Sequence, residues 1–319
     1  MNNFDIFNGD ADGLCGITQL RLARPRQSTP ITGVKRDNLL LNDAMLPDNS
    51  QLTVVDISLH SNVRGLTQAL SQGCVVEWFD HHHSGVIPEH RNLTAHIDTD
   101  PTVCSSLIIN KLLKNRFRHW AIVAAFGDNL SESAHALAAT SDMPQKTLET
   151  LKDLGVCINY NSYGTSIEDL HYHPETLYHM MQAFDEPINL VAETKLLPEL
   201  KGNYEADLIA ARGATIDAIN EYVAVVTLPS TAWARRINGL YANELSNRFP
   251  ERAHAILIEQ VSGFAVSIRA PKSNPLNAHQ VALKFETGGG RHAAAGIQHL
   301  TADRINNLVN ELMRHYCPR

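Results

Sequence analysis

The stretch CVVEWFDHHHSG, residues 74–85, decides the fold of this chain. Its apolar start predicts a buried β-strand, which would deliver Asp80, His81 and His82 at its carboxyl end. In open α/β sheets, ligands bind at this carboxyl edge. Neighbouring carboxylate and imidazole groups suit a divalent transition metal. Three consecutive histidines are also compatible with an exposed turn, so the stretch alone leaves both interpretations open.

Two earlier strands also end in carboxylates. Residues 4–7 are β-prone and precede the turn NGDADG, with a helix expected from Leu14; residues 52–57 form a clearer strand with Asp56 near its end. Asp10 and Asp12 alternate along a turn that we expect to be extended, and we expect them to serve two different ions. A plain Asx turn or a calcium-like loop is the alternative. Carboxylate or imidazole groups at three strand ends favour a metal site.

The order of the elements predicts an α/β protein with two domains. Helix-sized segments separate the N-terminal strands, which favours a parallel sheet with helices on both faces. A chain of 319 residues is longer than a single core usually supports. We therefore expect a metal-binding domain at 1–195, a helical linker at 196–221 and a smaller α/β domain with a mixed sheet at 222–319. Apolar spacing predicts further helices at 100–113, 204–221 and 277–285.

Two more segments carry candidate site residues. Asp128 follows the apolar run at 120–126, where a helix C-cap and turn is the alternative explanation. The run GGGRHAAAG at 288–296 is rich in glycine, which lets a backbone approach a ligand and offer its N–H groups to an anion. Arg291 and His292 would contact phosphate there; a plain loop is the alternative. Arg269 ends a predicted strand and is either a ligand contact or a surface charge.

The composition limits the class of partner. The net charge is −7, with 13 Lys and Arg against 22 Asp and Glu in residues 1–190, and 14 against 12 in 191–319. Proteins that bind long nucleic acid usually carry a strongly positive surface, so no long duplex partner is expected. Five scattered cysteines favour reduced thiols, and neither a signal peptide nor a membrane span is evident. We expect a cytoplasmic protein without a membrane partner.

These residues together resemble the DHH/DHHA1 phosphoesterase family. The N-terminal motifs stand in the family's order, with Asp10-x-Asp12-Gly13 first, then Asp56, Asp80-His81-His82 and Asp128, and the glycine-rich run matches the C-terminal motif. Members include RecJ-like exonucleases, nanoRNases, cyclic-dinucleotide phosphodiesterases and family II pyrophosphatases. The short two-domain form is most similar to the nanoRNases and to hydrolases of linear dinucleotides such as pGpG.

The resemblance implies a role for each matching residue. Asp10 would bind one manganese ion and Asp12 the other, with Asp56 as the bridge; magnesium is the alternative metal. His81 and Asp128 would complete the ligand set, His82 would lie nearest the scissile phosphate, and Asp80 would orient a histidine. Substrate would be bound in the second domain by Arg269, Gly289, Gly290, Arg291 and His292.

The chain departs from the family pattern at three positions. Ile6 stands where several relatives have histidine, and Asn8 stands where RecJ-like members carry aspartate. One metal site is therefore expected either to be weaker or to be completed by Asn8 and water. Arg291 occupies the place directly after the glycines where many relatives have histidine. Base or phosphate preference is therefore open.

The resemblance predicts a manganese-dependent phosphodiesterase that hydrolyses short linear oligonucleotides, above all dinucleotides such as pGpG. A cyclic-dinucleotide phosphodiesterase and a RecJ-like single-strand exonuclease are the alternatives within enzymes. A nucleotide-sensing module without turnover is the alternative from another class, suggested by Ile6. A homodimer is left open as the assembly.

Overall fold

Two separate β-sheets organise the chain, which the computed structural model describes over residues 2–318 apart from the side chain of Ala218. The chain divides into one unit up to Gly202 and a second from Asn203 onward. Each unit combines a sheet with helices, and each has its own apolar core. The predicted α/β class with two sheet-containing parts is therefore confirmed.

The first sheet, within residues 2–202, has five strands: β1 (Asn3–Phe7), β2 (Thr29–Ile31), β3 (Gln51–Val55), β4 (Val75–Asp80) and β5 (Leu93–Ile97). Their order is β2-β1-β3-β4-β5, and each neighbouring pair is parallel. Parallel neighbours need crossover connections; helices follow β1 and β3, whereas the described chain joins β4 to β5 without a helix. The carboxyl ends of β1, β3 and β4 therefore lie side by side at one edge.

Helices follow and connect these strands. They are α1 (Ala11–Ala23), α2 (Val63–Ser71), α3 (Ser105–Leu112), α4 (Arg118–Gly127), α5 (Ser131–Ala138), α6 (Gln145–Asn161), α7 (Pro174–Met181), α8 (Pro187–Glu193) and α9 (Leu196–Arg212). The last of them, α9, runs from the first unit into the second.

Both faces of the first sheet are covered. Successive strand residues point to opposite faces, and in β3 the side chain of Val54 belongs to one core and that of Val55 to the other. Residues of α2 pack with Val54, whereas residues of α1, α4 and α6 pack with Val55. Burial on both faces explains why apolar side chains lie on both sides of the sheet.

The second sheet, within residues 203–318, is mixed. Its strands are β6 (Ile216–Ala218), β7 (Val223–Leu228), β8 (Ala253–Gln260), β9 (Gly263–Arg269), β10 (Gly288–Gly290) and β11 (Ala294–Leu300). Their order is β10-β11-β9-β8-β7-β6; β7 and β8 are parallel, and the other neighbours are antiparallel. The accompanying helices are α10 (Ala232–Arg248), α11 (Ala278–Ala282) and α12 (Ile305–Tyr316).

The helix predicted at 100–113 begins later, at Ser105. Asp100 closes a turn instead, because its Oδ1 accepts hydrogen bonds from the backbone N of Thr102 at 2.8 Å and from its hydroxyl at 2.6 Å. An aspartate that bonds to the backbone two residues ahead gives the chain an alternative to the helix.

The predicted helical linker at 196–221 is only partly helical. Helix α9 ends at Arg212, and Ile216–Ala218 forms an edge strand in which Ile216 pairs with Val226. The β-branched side chain of Ile216 suits a strand better than a helix. The linker prediction is therefore wrong beyond Arg212, where the chain already belongs to the second sheet.

The glycine-rich run forms a β-hairpin rather than a plain loop. Strands β10 and β11 pair antiparallel, and β11 extends along β9 with Ala294 opposite Arg269. Glycine and alanine have low β-propensity, so the sequence gives little signal for these strands. The helix predicted at 277–285 is also shorter: it begins after Asn277, which takes a left-handed φ of 71°, and it ends at Ala282.

Two further features concern the cysteines and the helices. The five cysteines are free thiols, four of them buried. Among residues 2–318, no helix combines the length and the apolar character that crossing a bilayer requires.

Candidate metal centre

Asp10 caps the helix that follows β1. Its Oδ1 accepts hydrogen bonds from the backbone N–H groups of Asp12 and Gly13, each at 3.0 Å. An N-cap aspartate satisfies N–H groups that have no partner within the helix. Asp12 already lies in the first turn of α1. The predicted extended turn with alternating carboxylates is therefore wrong.

Asp12 is buried against the start of α3. Its Oδ2 accepts a hydrogen bond from the N–H of Ser105 at 2.7 Å, and its Oδ1 accepts one from the N–H of Ser106 at 2.8 Å. The free N–H groups of a helix start favour a negative charge. Each carboxylate oxygen has two lone pairs, so both remain able to bind a cation. Sequence reasoning missed both serines, which lie far from Asp12 along the chain.

Asp56 follows β3 with a left-handed backbone, at a φ of 58°. Few residues other than glycine adopt this region, and Asp and Asn tolerate it best. Its N–H donates to the carbonyl of Phe79 at 2.9 Å, and its Oδ1 accepts from the Ser105 hydroxyl at 3.3 Å. The carboxylate of Asp56 is thus buried at the carboxyl edge of the sheet, on a residue whose backbone is strained. Strained backbone of this kind is common at functional sites.

Strand β4 ends at Asp80, which is fully buried. Its Oδ1 accepts the backbone N–H of His81 at 2.9 Å and lies 2.7 Å from Nδ1 of His82. The hydrogen bond to Asp80 is the largest cause of a raised pKa at His82. The second oxygen of Asp80, Oδ2, is buried without a hydrogen-bond partner among residues 2–318. Asp80 therefore fixes which nitrogen of the His82 ring points away from it.

The remaining donors converge on His81. Its Nε2 lies 3.4 Å from Oδ1 of Asp56 and 3.8 Å from Oδ2 of Asp128. Asp128 is the C-cap residue of α4, as the alternative explanation for this position expected. Its side chain nevertheless faces His81. Ligand atoms lie within 4.8 Å of one another in two groups: Asp56, His81 and His82, and Asp12, His81 and Asp128.

This donor set fits a divalent cation. Burial and the nearby charges of Asp10 and Asp12 raise the pKa of Asp56 well above its usual value. Burial and the charge of Asp12 raise the pKa of Asp128 to about 6. Buried like charges are costly unless they are paired or bind a metal. Carboxylate oxygens and imidazole together suit manganese or magnesium better than a metal that prefers thiolate ligands.

Sequence reasoning missed Lys35. Its Nζ lies 2.5 Å from Oδ2 of Asp10, 3.2 Å from Oδ1 of Asn159 and 3.5 Å from Oδ1 of Asp128. Burial disfavours the ammonium, but the charges of Asp10, Tyr163 and Asp128 together with the hydrogen bond to Asp10 outweigh it and raise the pKa of Lys35 well above its usual value. Burial likewise opposes ionisation of Asp10, but Lys35 lowers its pKa overall. The ammonium group of Lys35 is thus already paired with the carboxylates of Asp10 and Asp128.

Asn8 and Ile6, two positions where the chain departs from the family pattern, make contacts within the first unit. The Oδ1 of Asn8 accepts the N–H of Asp10 at 3.3 Å, and its Nδ2 donates to the carbonyl of Lys35 at 3.2 Å. Both polar groups of the Asn8 amide are thus engaged in backbone contacts, and its role as a metal ligand stays a prediction. Ile6 is fully buried in the apolar core of the sheet.

The predicted substrate residues of the second unit gather around β9 and the β10–β11 hairpin. Arg291 and His292 are exposed in the turn of the hairpin, and the Arg291 N–H donates to the carbonyl of Ala294 at 2.8 Å. His292 stacks edge-on against His279, with ring centroids 4.4 Å apart. His279 was missed, since a single histidine on a short helix carries no pattern.

The guanidinium of Arg269 is held in place. Its Nε donates to Oδ1 of Asn243 at 2.8 Å, and its Nη2 donates to the carbonyl of Gly239 at 3.4 Å. Gly289 and Gly290 lie in β10, where Gly290 has a φ of 141°, and a Cβ on Gly290 would lie 2.4 Å from Cα of Ala295. Close pairing of the two strands therefore requires glycine at position 290.

Comparisons of sequence find no relative. A scan against protein-family models gives no match, and a search of curated proteins gives none.

Comparisons of structure do find similar folds. The manganese-bound exonuclease RecJ shares 17% identity with a TM-score of 0.62, over 100% of this chain and 90% of that chain. RecJ from Thermus thermophilus with Mn²⁺ shares 16% with a TM-score of 0.63, over 99% of this chain and 52% of that chain. The pGpG-specific phosphodiesterase PggH from Vibrio cholerae shares 13% with a TM-score of 0.58, over 99% of both chains. This chain therefore has the two-part fold of the DHH phosphoesterases that its motifs resemble.

Proposed function

We propose that this chain is a metal-dependent phosphodiesterase that hydrolyses short linear oligonucleotides, with dinucleotides such as pGpG as its main substrate. One observation carries the proposal: Asp12, Asp56, His81 and Asp128 come together at the carboxyl edge of a parallel sheet. A divalent ion, manganese or magnesium, would activate water and polarise the phosphoryl group there. RecJ and PggH, named as an exonuclease and a pGpG phosphodiesterase, share this fold.

The residues of the chain would divide the work. Asp12, Asp56, His81 and Asp128 would hold the cation. His82 would donate a hydrogen bond to a phosphate oxygen, because its contact with Asp80 favours the protonated ring. Donors placed where negative charge develops stabilise a transition state. Asp80 would act as a positioning residue for His82.

Substrate size is inferred from charge. The excess of 22 Asp and Glu over 13 Lys and Arg in residues 1–190 opposes a long polyanion, whose binding depends on phosphate neutralisation. A dinucleotide carries few phosphates. Arg269, Arg291, His292 and the N–H groups of Gly289 and Gly290 would bind it. We also propose a homodimer as the assembly to be tested together with the substrate.

A substrate panel tests the proposal. Purified protein would be assayed on pGpG, cyclic di-GMP and a longer single-stranded oligonucleotide, each with manganese, magnesium or a chelator. We expect the fastest turnover on pGpG with manganese and none with the chelator. Preference for the longer strand would favour the exonuclease alternative, which the RecJ fold supports. Binding of nucleotide without turnover would favour the sensor.

Variants test the site. Asp56→Asn and His81→Ala are expected to lose turnover by at least 100-fold, because each removes a proposed metal ligand. His179→Ala is the matched control, since that histidine is 61% exposed and pairs with Glu175 on the surface of α7. Full activity of either site variant would rule out this site as the catalytic centre.

A further inference from the structure

We propose that the ammonium group of Lys35 takes the place of one divalent cation in this site, so that the chain binds a single divalent ion. The inference deepens the proposed function and rests on it, because it concerns the same cluster of carboxylates. The family resemblance implies two ions, one on Asp10 and one on Asp12. The structure supports the ion on Asp12 and assigns the position of the ion on Asp10 to the ammonium of Lys35.

The surroundings of Lys35 are those of a bound cation. Three oxygen atoms from separate parts of the chain surround its Nζ: Oδ2 of Asp10 at 2.5 Å, Oδ1 of Asn159 at 3.2 Å and Oδ1 of Asp128 at 3.5 Å. Two are carboxylate oxygens and one is an amide oxygen. A lysine ammonium has three N–H donors and no acceptor, so it matches this set of acceptors.

Asp10 has little left to offer a metal. Its Oδ1 already accepts two backbone N–H groups, from Asp12 and Gly13, and its Oδ2 accepts the ammonium of Lys35. Asp10 belongs to neither group of candidate metal donors among residues 2–318. An ion on Asp10 would have to displace Lys35 or lie beside its positive charge.

The backbone fixes Lys35 in this position. Its N–H donates to the carbonyl of Ser162 at 3.0 Å, and its carbonyl accepts from Nδ2 of Asn8 at 3.2 Å. A Cβ on Gly9 would lie 2.0 Å from the carbonyl oxygen of Gly33, so the segment that carries Lys35 passes directly over the turn after β1. Asn8 therefore serves to hold Lys35, and it brings no charge that would attract a second dication.

The other donors supply one ion only. The two candidate groups, which contain Asp56 and Asp128 respectively, share His81. A neutral imidazole has a single nitrogen lone pair that can bind a metal. His81 can therefore complete one group at a time, which agrees with a single ion held among Asp12, Asp56 and Asp128.

Counting bound metal tests the inference without relying on activity. Mn²⁺ would be titrated into the metal-free full chain by calorimetry, and the spectrum of the loaded protein recorded by electron paramagnetic resonance. We expect one Mn²⁺ per chain and an uncoupled six-line spectrum. The double variant Asn8→Asp/Lys35→Met, which frees Asp10 and adds a carboxylate, is expected to bind two ions with a spin-coupled spectrum.

Two single variants serve as controls. Arg36→Met removes the neighbouring, exposed cation and is expected to leave one ion bound. Lys35→Arg keeps the positive charge and is also expected to bind one. Two ions on the wild-type chain, or one ion on a folded double variant, would overturn the inference. If the double variant does not fold, the count on the wild-type chain and on Lys35→Arg still decides.

The outcomes also separate this inference from the proposed function. Two ions together with hydrolysis of pGpG would leave the function standing and remove the role of Lys35. One ion without hydrolysis of any substrate in the panel would support the role of Lys35 and remove the proposed function. No bound Mn²⁺ would overturn both.

Discussion

The Nδ1 atom of His82 lies 2.7 Å from Oδ1 of Asp80, the last residue of β4. Asp80 is fully buried, whereas the side chain of His82 is 45% exposed. A rigid strand end therefore orients an imidazole that solvent and ligand can reach. A single substitution of Asp80 therefore tests the pair that it forms with His82.

The variant Asp80→Asn is expected to lower the pKa of His82. The hydrogen bond and the charge of Asp80 raise that pKa in the wild-type chain, and asparagine keeps the shape but removes the charge. The stabilisation from this pair is complete below the unfolded-state pKa of histidine and is lost as pH rises through the folded-state pKa. Ring proton shifts of His82 in the metal-free protein, followed by NMR against pH, measure the change. An unaltered midpoint would refute the role of Asp80, and His179 provides the internal reference.

Asp128 is expected to make the metal-free protein less stable as pH rises. Its pKa is raised to about 6 by burial and by Asp12, so the native state binds more protons than the unfolded chain between about pH 4 and 6. Stability falls through that window. Asp128→Asn removes this loss and is expected to raise the stability of the metal-free protein by on the order of 2 kcal/mol at pH 7.

Chemical denaturation of both proteins between pH 4 and 8, with and without Mn²⁺, tests this prediction. The metal should stabilise the wild-type chain more than Asp128→Asn, because a proposed ligand is missing from the variant. Identical pH profiles for the two metal-free proteins would contradict it.

Much of the site's layout follows from the sequence for one reason. Parallel strands end at the same edge of a sheet, so Asp56 and His81 are brought together from segments far apart in sequence. Their catalytic roles stay predictions. The N-cap formed by Asp10 was not predicted, because the helix was expected to begin at Leu14 and begins at Ala11.

Other features had no pattern to read. Lys35 reaches Asp10 through a long, flexible side chain, and nothing in the residues around it indicates that contact. The β10–β11 hairpin depends on backbone pairing of glycine and alanine, residues without strand preference. The strand at Ile216 depends on the open edge of β7. In each case tertiary contacts decide the structure, and local sequence does not.

Gly13→Ala is expected to destabilise the chain by about 2 kcal/mol, because a Cβ at that position would lie 2.1 Å from the carbonyl oxygen of Asn8. The start of α1 would have to move, taking Asp10 and Asp12 with it, so Mn²⁺ affinity should fall as well. Gly202→Ala is the matched control. It lies within α9 with nothing within 4 Å of its Cβ position, and it is expected to gain up to about 1 kcal/mol. Thermal unfolding and Mn²⁺ titration measure both, and equal effects of the two substitutions would refute the packing argument.

Arg291→Ala is expected to raise KM for pGpG by about 10-fold or more with little change in kcat, since a hydrogen bond to a charged group contributes about 1.5–3 kcal/mol. Arg291 is exposed at the turn of the β10–β11 hairpin and lies in the second unit, whereas the proposed metal ligands lie in the first. Mn²⁺ stoichiometry should therefore be the same as in the wild-type chain. Lys272→Ala removes another exposed cation of the second unit and is the control. An equal rise in KM for both variants would indicate general electrostatic attraction rather than a phosphate contact by Arg291.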